Sequence, residues 1–296
     1  MKKTSGDKTV NSLDKSHVRQ SFSKSAQDYD QVAVLQREIG ERMLERLDYV
    51  KLKPDIVLDA GAGTGHCSDG LLKRYNKAKV LSLDFALPML HQAVKKGRWL
   101  RRPSCICGDI EHLPLADQSV DLVFSNVAIQ WCTDLQQTFS EFMRVLKPEG
   151  LLMFSTFGPD TLKELRSAWA QVDQLPHTSQ FVDMHDIGDM LVHEQFADPV
   201  IDAERMTLTY KNVSLLVKDL KMLGAHNADS NRQRGMMGKQ RWQSMVRAYE
   251  EFRQQDRLPA TYEVVYGHAW RPAELKVKQQ SVDGEVFVPI DLVGRP

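Results

Sequence analysis

The sequence predicts an α/β protein with a doubly wound, mostly parallel sheet and helices on both faces. Strand-like and helix-like segments alternate from Ile56 to Phe157, the rhythm of a parallel sheet with crossover helices. The first strand runs straight into the glycine turn of VLDAGAGTG, Val57 to Gly65. Asp59, Asp84 and Asp109 then fall at the ends of three successive strands.

Each element follows from local pattern. Residues 16–50 read as helical, because Phe22, Ala26 and Tyr29, then Val32, Leu35, Ile39, Met43 and Leu47, recur at helical spacing. Pro54 breaks that run. IVLD is the first strand, and a helix spans about His66 to Tyr75. KVLSLD is the second strand, followed by a helix opening near Pro88, where a fixed φ suits a first turn. SCICGD and VDLVFSN are the third and fourth strands. LQQTFSEFMRVL is helical, KPEG turns, and LLMFSTF is the fifth strand. Helices near 160–172 and 183–195 come next, then the alternating IDAERMTLTY, a polar helical stretch over 212–254, and the alternating TYEVVYGHAW as the last strand. The insertion at 211–258, between the last two strands, is expected to form a helical lid over the carboxyl edge of the sheet. The expected division is a disordered tail at 1–15 and a single domain at 16–272. That domain divides into N-terminal helices at 16–50 and a ligand-binding core at 51–160, with the lid at 211–258. A C-terminal tail, partly disordered, is expected at 273–296.

Composition narrows the function classes. The 296 residues carry 39 Lys+Arg against 39 Asp+Glu, without the basic excess of a general nucleic-acid binder. The four cysteines, at 67, 105, 107 and 132, lack zinc-ligand spacing and suit a reducing compartment. Cys105 and Cys107 share one face of a strand and are expected to be small core residues. No apolar run approaches the ~20 residues that span a bilayer, and the basic start lacks the apolar stretch of a signal peptide. A cytoplasmic protein with no metal and no membrane contact is the expectation.

Ligands of an open parallel sheet bind at the carboxyl ends of its strands. Gly61, Gly63 and Gly65 sit there, and glycine lets the backbone take positive φ and approach a ligand closely. A tight turn with no ligand is the plain alternative. The spacing is D-x-G-x-G-x-G, led by Asp59, and fits neither the G-x-G-x-x-G dinucleotide fingerprint nor a P-loop. A pyrophosphate is therefore disfavoured. Asp84 can accept both hydroxyls of a ribose, and Asp109 with Ile110 suits the amino edge of an adenine. Together the strand ends argue for a nucleoside ligand.

The linked runs VLDAGAGTG, LSLDFALPML, GDIEHLPLADQSVDLVFSN and RVLKPEGLLMFSTF resemble the class I S-adenosylmethionine-dependent methyltransferases over residues 50 to 160. The resemblance implies a Rossmann-like fold with an antiparallel last strand and S-adenosyl-L-methionine as cofactor. It implies that Gly61, Gly63 and Gly65 border the methionine part and that Asp84 binds the ribose. Phe85 and Met89 would flank the adenine, Asp109 and Ile110 would touch its edge, and Asn126 would lie near the sulfonium.

The flanking runs SFSKSAQDYDQVAVLQREIGERML, SNVAIQWCTDL, LTYKNVSLLVKDLKMLGAHNA and LPATYEVVYGHAW are similar to the malonyl-acyl-carrier-protein O-methyltransferases of biotin synthesis, from about Ser16 to Trp270. That family esterifies the free carboxylate of a malonyl thioester on an acidic carrier. A carboxyl group is already ionised near pH 7, so no general base is needed and placement carries the catalysis. Candidates for placing the substrate are Tyr29, Gln36, Gln130, Trp131, Lys221, Asn227, Tyr262 and His268. Lys221 reads equally as a solvated helix face and Trp131 as a core aromatic, while His268 suits a hydrogen-bonded strand residue better than a proton shuttle. Two basic runs suit the carrier: Lys95, Lys96, Arg98, Arg101 and Arg102, and the preferred Arg232, Arg234, Lys239 and Arg241 in the insertion. A free small carboxylic acid or a quinone precursor as acceptor, and an assembly factor without methyl transfer, are the alternatives.

Overall fold

The computed structural model describes residues 13–97, 101–223, 238–275, 281–282 and 285–286. Asp14 caps α1 (Lys15–Ser25) by accepting from the His17 amide, so helical structure begins at Lys15, inside the segment expected to be a tail. The N-terminal run then breaks into α2 (Tyr29–Val32) and α3 (Val34–Arg46). The Rossmann-like core follows as β1 (Ile56–Ala60), α4 (His66–Arg74), β2 (Lys79–Asp84), α5 (Leu87–Ala93), β3 (Ser104–Cys107), β4 (Val120–Asn126), α6 (Leu135–Val145) and β5 (Leu146–Phe157). The later part comprises α7 (Lys163–Ala170), α8 (Met184–His193), β6 (Ala197–Tyr210), α9 (Val213–Met222), α10 (Lys239–Glu250) and β7 (Leu258–Trp270). A pair of two-residue strands, β8 (Ser281–Val282) and β9 (Glu285–Val286), lies in the segment expected to be partly disordered.

Seven strands form one sheet in the order β3-β2-β1-β4-β5-β7-β6. The first five are parallel, and β7 runs antiparallel between β5 and β6. β1 lies at the point where strand order reverses, so its carboxyl end opens into a crevice. KPEG, expected as a turn, belongs to β5. The strand passes through it with an irregularity opposite Val120–Leu122 and with Glu149 at φ 61°.

Both faces of the sheet are covered. On one, Leu35, Ile39 and Met43 of α3, Leu71 of α4 and Tyr249 of α10 pack with Phe124 and Tyr266. On the other, Phe139 and Phe142 of α6 and Ile187 and Leu191 of α8 pack on Leu58 and Phe154. Each such side chain contributes about 1.5–3 kcal/mol by burial. The expectation for Cys105 and Cys107 fails. They share a face, with their thiols toward the Leu90 and Phe85 carbonyls, but both are exposed. Their strand is the sheet's edge, where a shared face need not be a covered one.

One buried carboxylate fixes α7 to the sheet. Glu164, 6% exposed, accepts from the Thr261 amide at 3.0 Å and from its hydroxyl at 2.5 Å. Glu164→Ala leaves both donors without their partner. Urea unfolding is expected to show a loss of about 2–3 kcal/mol, and a loss below about 0.5 kcal/mol would contradict this role.

Candidate functional site

The glycine turn is tied to the neighbouring strand. The Gly61 and Ala62 amides both donate to the Leu83 carbonyl, at 2.8 and 2.9 Å. Gly61, Gly63 and Gly65 all have positive φ, at 79°, 53° and 82°. Added Cβ atoms at Gly61 and Gly65 would strike Ala128 and Ala93, whereas one at Gly63 would meet nothing within 4 Å. It would project into space the cleft keeps open.

Asp84 organises this corner. Its Oδ2 accepts from the Gly63 amide at 2.9 Å and its Oδ1 from the Ala86 amide at 2.8 Å. Each carboxylate oxygen keeps a further lone pair for a ligand. Burial pushes the Asp84 carboxyl up to about 6, against the two amides that pull it down. Asp59 lies deeper, 1% exposed, and accepts from the Ser68 hydroxyl at 2.5 Å. Burial pushes it up to about 7; Ser68 opposes this and the Asp84 charge adds to it.

A cleft of about 930 Å3 opens over this corner. Nine of the ten cofactor residues expected from the sequence line it: Asp59, Gly61, Gly63, Asp84, Phe85, Met89, Asp109, Ile110 and Asn126. Gly65 does not, because it packs against Ala93 of α5 and serves the turn's backbone instead. Phe85 and Met89 pack with Phe22 and Tyr29, forming an apolar wall. Lys15 pairs with both Asp109 and Glu111, drawing α1 across the mouth. Asn126 donates to the Gln36 carbonyl at 2.9 Å and accepts from the Ser155 hydroxyl at 2.9 Å. It thus ties α3 to the ends of β4 and β5.

A second, larger cavity of about 2020 Å3 lies beside the first. Phe157, Leu165, Trp169, Phe181 and Trp242 give it apolar walls, with Tyr262 buried among them. Burial, together with Tyr210 and Tyr249, raises the Tyr262 phenol well above its ordinary range. Gln36 and Trp131 border both cavities. Trp131 meets Phe22 edge to face at 5.4 Å. The Gln36 Oε1 is buried without a hydrogen-bond partner.

The expected placing residues therefore separate. Gln36, Trp131, Lys221 and Tyr262 line the second cavity, as does Lys239 of the basic run expected to meet the carrier; Lys221 and Lys239 are exposed and mark its rim. Tyr29 lines only the cofactor cleft. Gln130 lines neither; its amide donates to the Val127 carbonyl at 2.8 Å and braces that turn. His268 lines neither, because it lies six residues beyond Tyr262 on β7, about 20 Å along the strand. There burial and the Arg46 charge lower its pKa. Arg241 is not a free cation for a carrier, since it pairs with Asp173. Arg98, Asn227, Arg232 and Arg234 lie outside the described residues. Phe22, His177 and Phe181 line the cavities and were not expected there. Phe22 already showed helical spacing, whereas His177 and Phe181 sit in an irregular segment without periodicity. Among the described residues no group of three or more His, Cys, Asp or Glu could hold a metal.

The raised pKa of Asp59 has a sign that can be tested. A carboxyl whose folded pKa exceeds its unfolded value contributes stability at low pH that is lost as pH rises through the folded pKa. Relative to Asp59→Asn, the wild-type chain is expected to lose stability from about pH 4 to about 7 and to level off above. Paired urea titrations across that range measure the difference; a gap independent of pH would contradict it.

A family model described as a methyltransferase domain matches residues 58–154. The chain is 54% identical over 267 residues to a malonyl-[acyl-carrier protein] O-methyltransferase of Gallionella capsiferriformans, covering 88% of this chain and 92% of that one. It is 47% identical over 289 residues to malonyl-[acyl-carrier protein] O-methyltransferase 1 of Coxiella burnetii, covering 97% and 99%. Among solved structures, the YcgJ protein of Bacillus subtilis superimposes with a TM-score of 0.56 at 16% identity, over 78% of this chain and 99% of that one. That likeness shows the class I methyltransferase fold, and the sequence relatives show the family. The chain belongs to the malonyl-[acyl-carrier protein] O-methyltransferase family.

Proposed function

We propose that the two cavities divide one reaction between them, with S-adenosyl-L-methionine in the glycine-turn cleft and a carrier-borne malonyl group in the larger cavity. The chain is an S-adenosylmethionine-dependent O-methyltransferase that converts the free carboxylate of malonyl-acyl-carrier protein to its methyl ester. The observation that carries the assignment is the seam: Gln36 and Trp131 each border both cavities. The cleft fits the cofactor through the open space at Gly63 and the spare lone pairs of Asp84.

When bound, the cofactor supplies a sulfonium methyl group, whose bonding pair stays on sulfur as the substrate's carboxylate oxygen takes the methyl carbon. The chain's residues have no proton to move, because the malonyl carboxyl is ionised near pH 7. Their work is placement. Asn126 pins the Gln36 main chain, and the Gln36 side-chain amide brings unspent hydrogen-bonding capacity to the seam. No partner of Oε1 holds that amide in one orientation, so it can turn to present Nε2 as the donor to the carboxylate. Trp131, held by Phe22, is an apolar wall that excludes water beside the reacting atoms. Tyr262 and its apolar neighbours line the approach. The ester hides a charge, so the product can be elongated like an ordinary acyl primer, as an early step of biotin synthesis requires. Among the described residues no helix is long and apolar enough to cross a membrane, and the reading places the enzyme in the cytoplasm with its carrier.

Gln36→Glu sets a carboxylate against the substrate's own. It is expected to lower kcat/KM for malonyl-loaded carrier by about 100-fold; a change below about threefold would remove Gln36 from the seam. In the wild type, kcat/KM is expected to be flat from about pH 7 to 9 and to fall below about 6 as Asp84 protonates. A rise through pH 7–9 would reveal a general base and contradict the mechanism.

A further inference from the structure

The rim of the larger cavity carries three cations with no work in the methyl transfer. Lys218 and Lys221 stand three residues apart on α9, on one face of the helix. Lys239 opens α10. All three line the cavity and all three are exposed, which sets them at its mouth while Leu162, Leu165 and Tyr262 form its buried wall. The neighbouring cation on α10 is committed. Arg241 pairs with Asp173, whereas no ion pair forms at Lys218, Lys221 or Lys239 among the described residues. Three positive charges without an ion pair among the described residues, around the entrance of an apolar cavity, repel one another. A bound anion removes that cost.

We propose that Lys218, Lys221 and Lys239 bind the phosphodiester of the arm that tethers the acyl group to its carrier. The inference rests on the proposed function, and it assigns the cavity's entrance as the seam assigns its inner end. The arm suits this path chemically. Its phosphodiester is a permanent anion for the lysines. Its amides and methyl groups lie along a wall where Trp169, Phe181 and Trp242 provide apolar surface and Thr178, Ser179 and Ser214 provide hydroxyls. Its thioester end reaches toward Gln36 and Trp131, where both cavities meet. Lys221, expected from the sequence to place the substrate, then acts on the distal phosphate instead of the reacting carboxylate.

The test compares two soluble mimics, malonyl-phosphopantetheine and malonyl-pantetheine, which differ by the phosphate. Methyl ester formation is measured by mass spectrometry with the full-length chain and S-adenosylmethionine. The wild type is expected to show a KM at least about tenfold lower for the phosphorylated mimic. In a Lys218→Ala, Lys221→Ala, Lys239→Ala triple variant that ratio is expected to fall to about one, and the corresponding triple arginine variant is expected to restore most of it. An equal KM for both mimics in the wild type, or the same ratio in the alanine variant, would overturn the lysine assignment and leave the proposed function standing. No ester on either mimic or on the malonyl-loaded carrier would overturn both.

Discussion

The carboxylate of Asp84 joins the parts on which the cofactor cleft depends. Parallel strands end with backbone groups that have no ladder partner, and three successive ends meet here. Asp84 accepts one amide from the glycine turn after β1 and one from the start of α5, so two crossover connections are held by a single side chain. Its burial raises its pKa to about 6, still below neutrality, so the corner stays mostly ionised at working pH. Asp59 beneath it is also raised, so the floor holds two carboxyls whose charges oppose each other. A ligand presenting hydroxyl donors to Asp84 stabilises the ionised form that the fold alone destabilises.

A second constraint sets where that cleft meets the larger cavity. Ser155 on β5 holds Asn126 at the end of β4, and Asn126 holds the Gln36 main chain. Two strands therefore fix the position of one helix residue that borders both cavities. On the other side, Glu164 ties α7 to β7 and so sets Leu165 and Trp169 in the cavity wall. The seam is built from rigid elements, as an in-line displacement demands, since small misplacements of reacting atoms carry large rate costs.

The cofactor half was legible because its signals are local. A strand, a positive-φ turn and a helix start lie within a few residues of one another, and the acids fall where strands end. The substrate half was not, because its geometry depends on contacts distant in sequence. Arg241 reads as one cation in a basic run, and nothing near it reveals that Asp173, 68 residues away, holds it. Gln130 and Trp131 are neighbours in the chain, yet the turn at Val127 points one toward its own backbone and the other into both cavities. His268 shares a strand face with Tyr262, and periodicity conveys the shared face without the distance along it. Cys105 and Cys107 show the same limit: alternation predicts which residues share a face and does not reveal whether an edge strand's face is covered.

The central claim is that a carrier-borne carboxylate receives a methyl group at the seam between the cavities. The most direct measurement is the intact mass of malonyl-loaded carrier protein after incubation with this chain and S-adenosylmethionine. The account predicts a gain of one methyl group that is lost on mild base hydrolysis, as an ester requires. An unchanged mass while the chain binds the cofactor, or a methyl group that survives base, would contradict it.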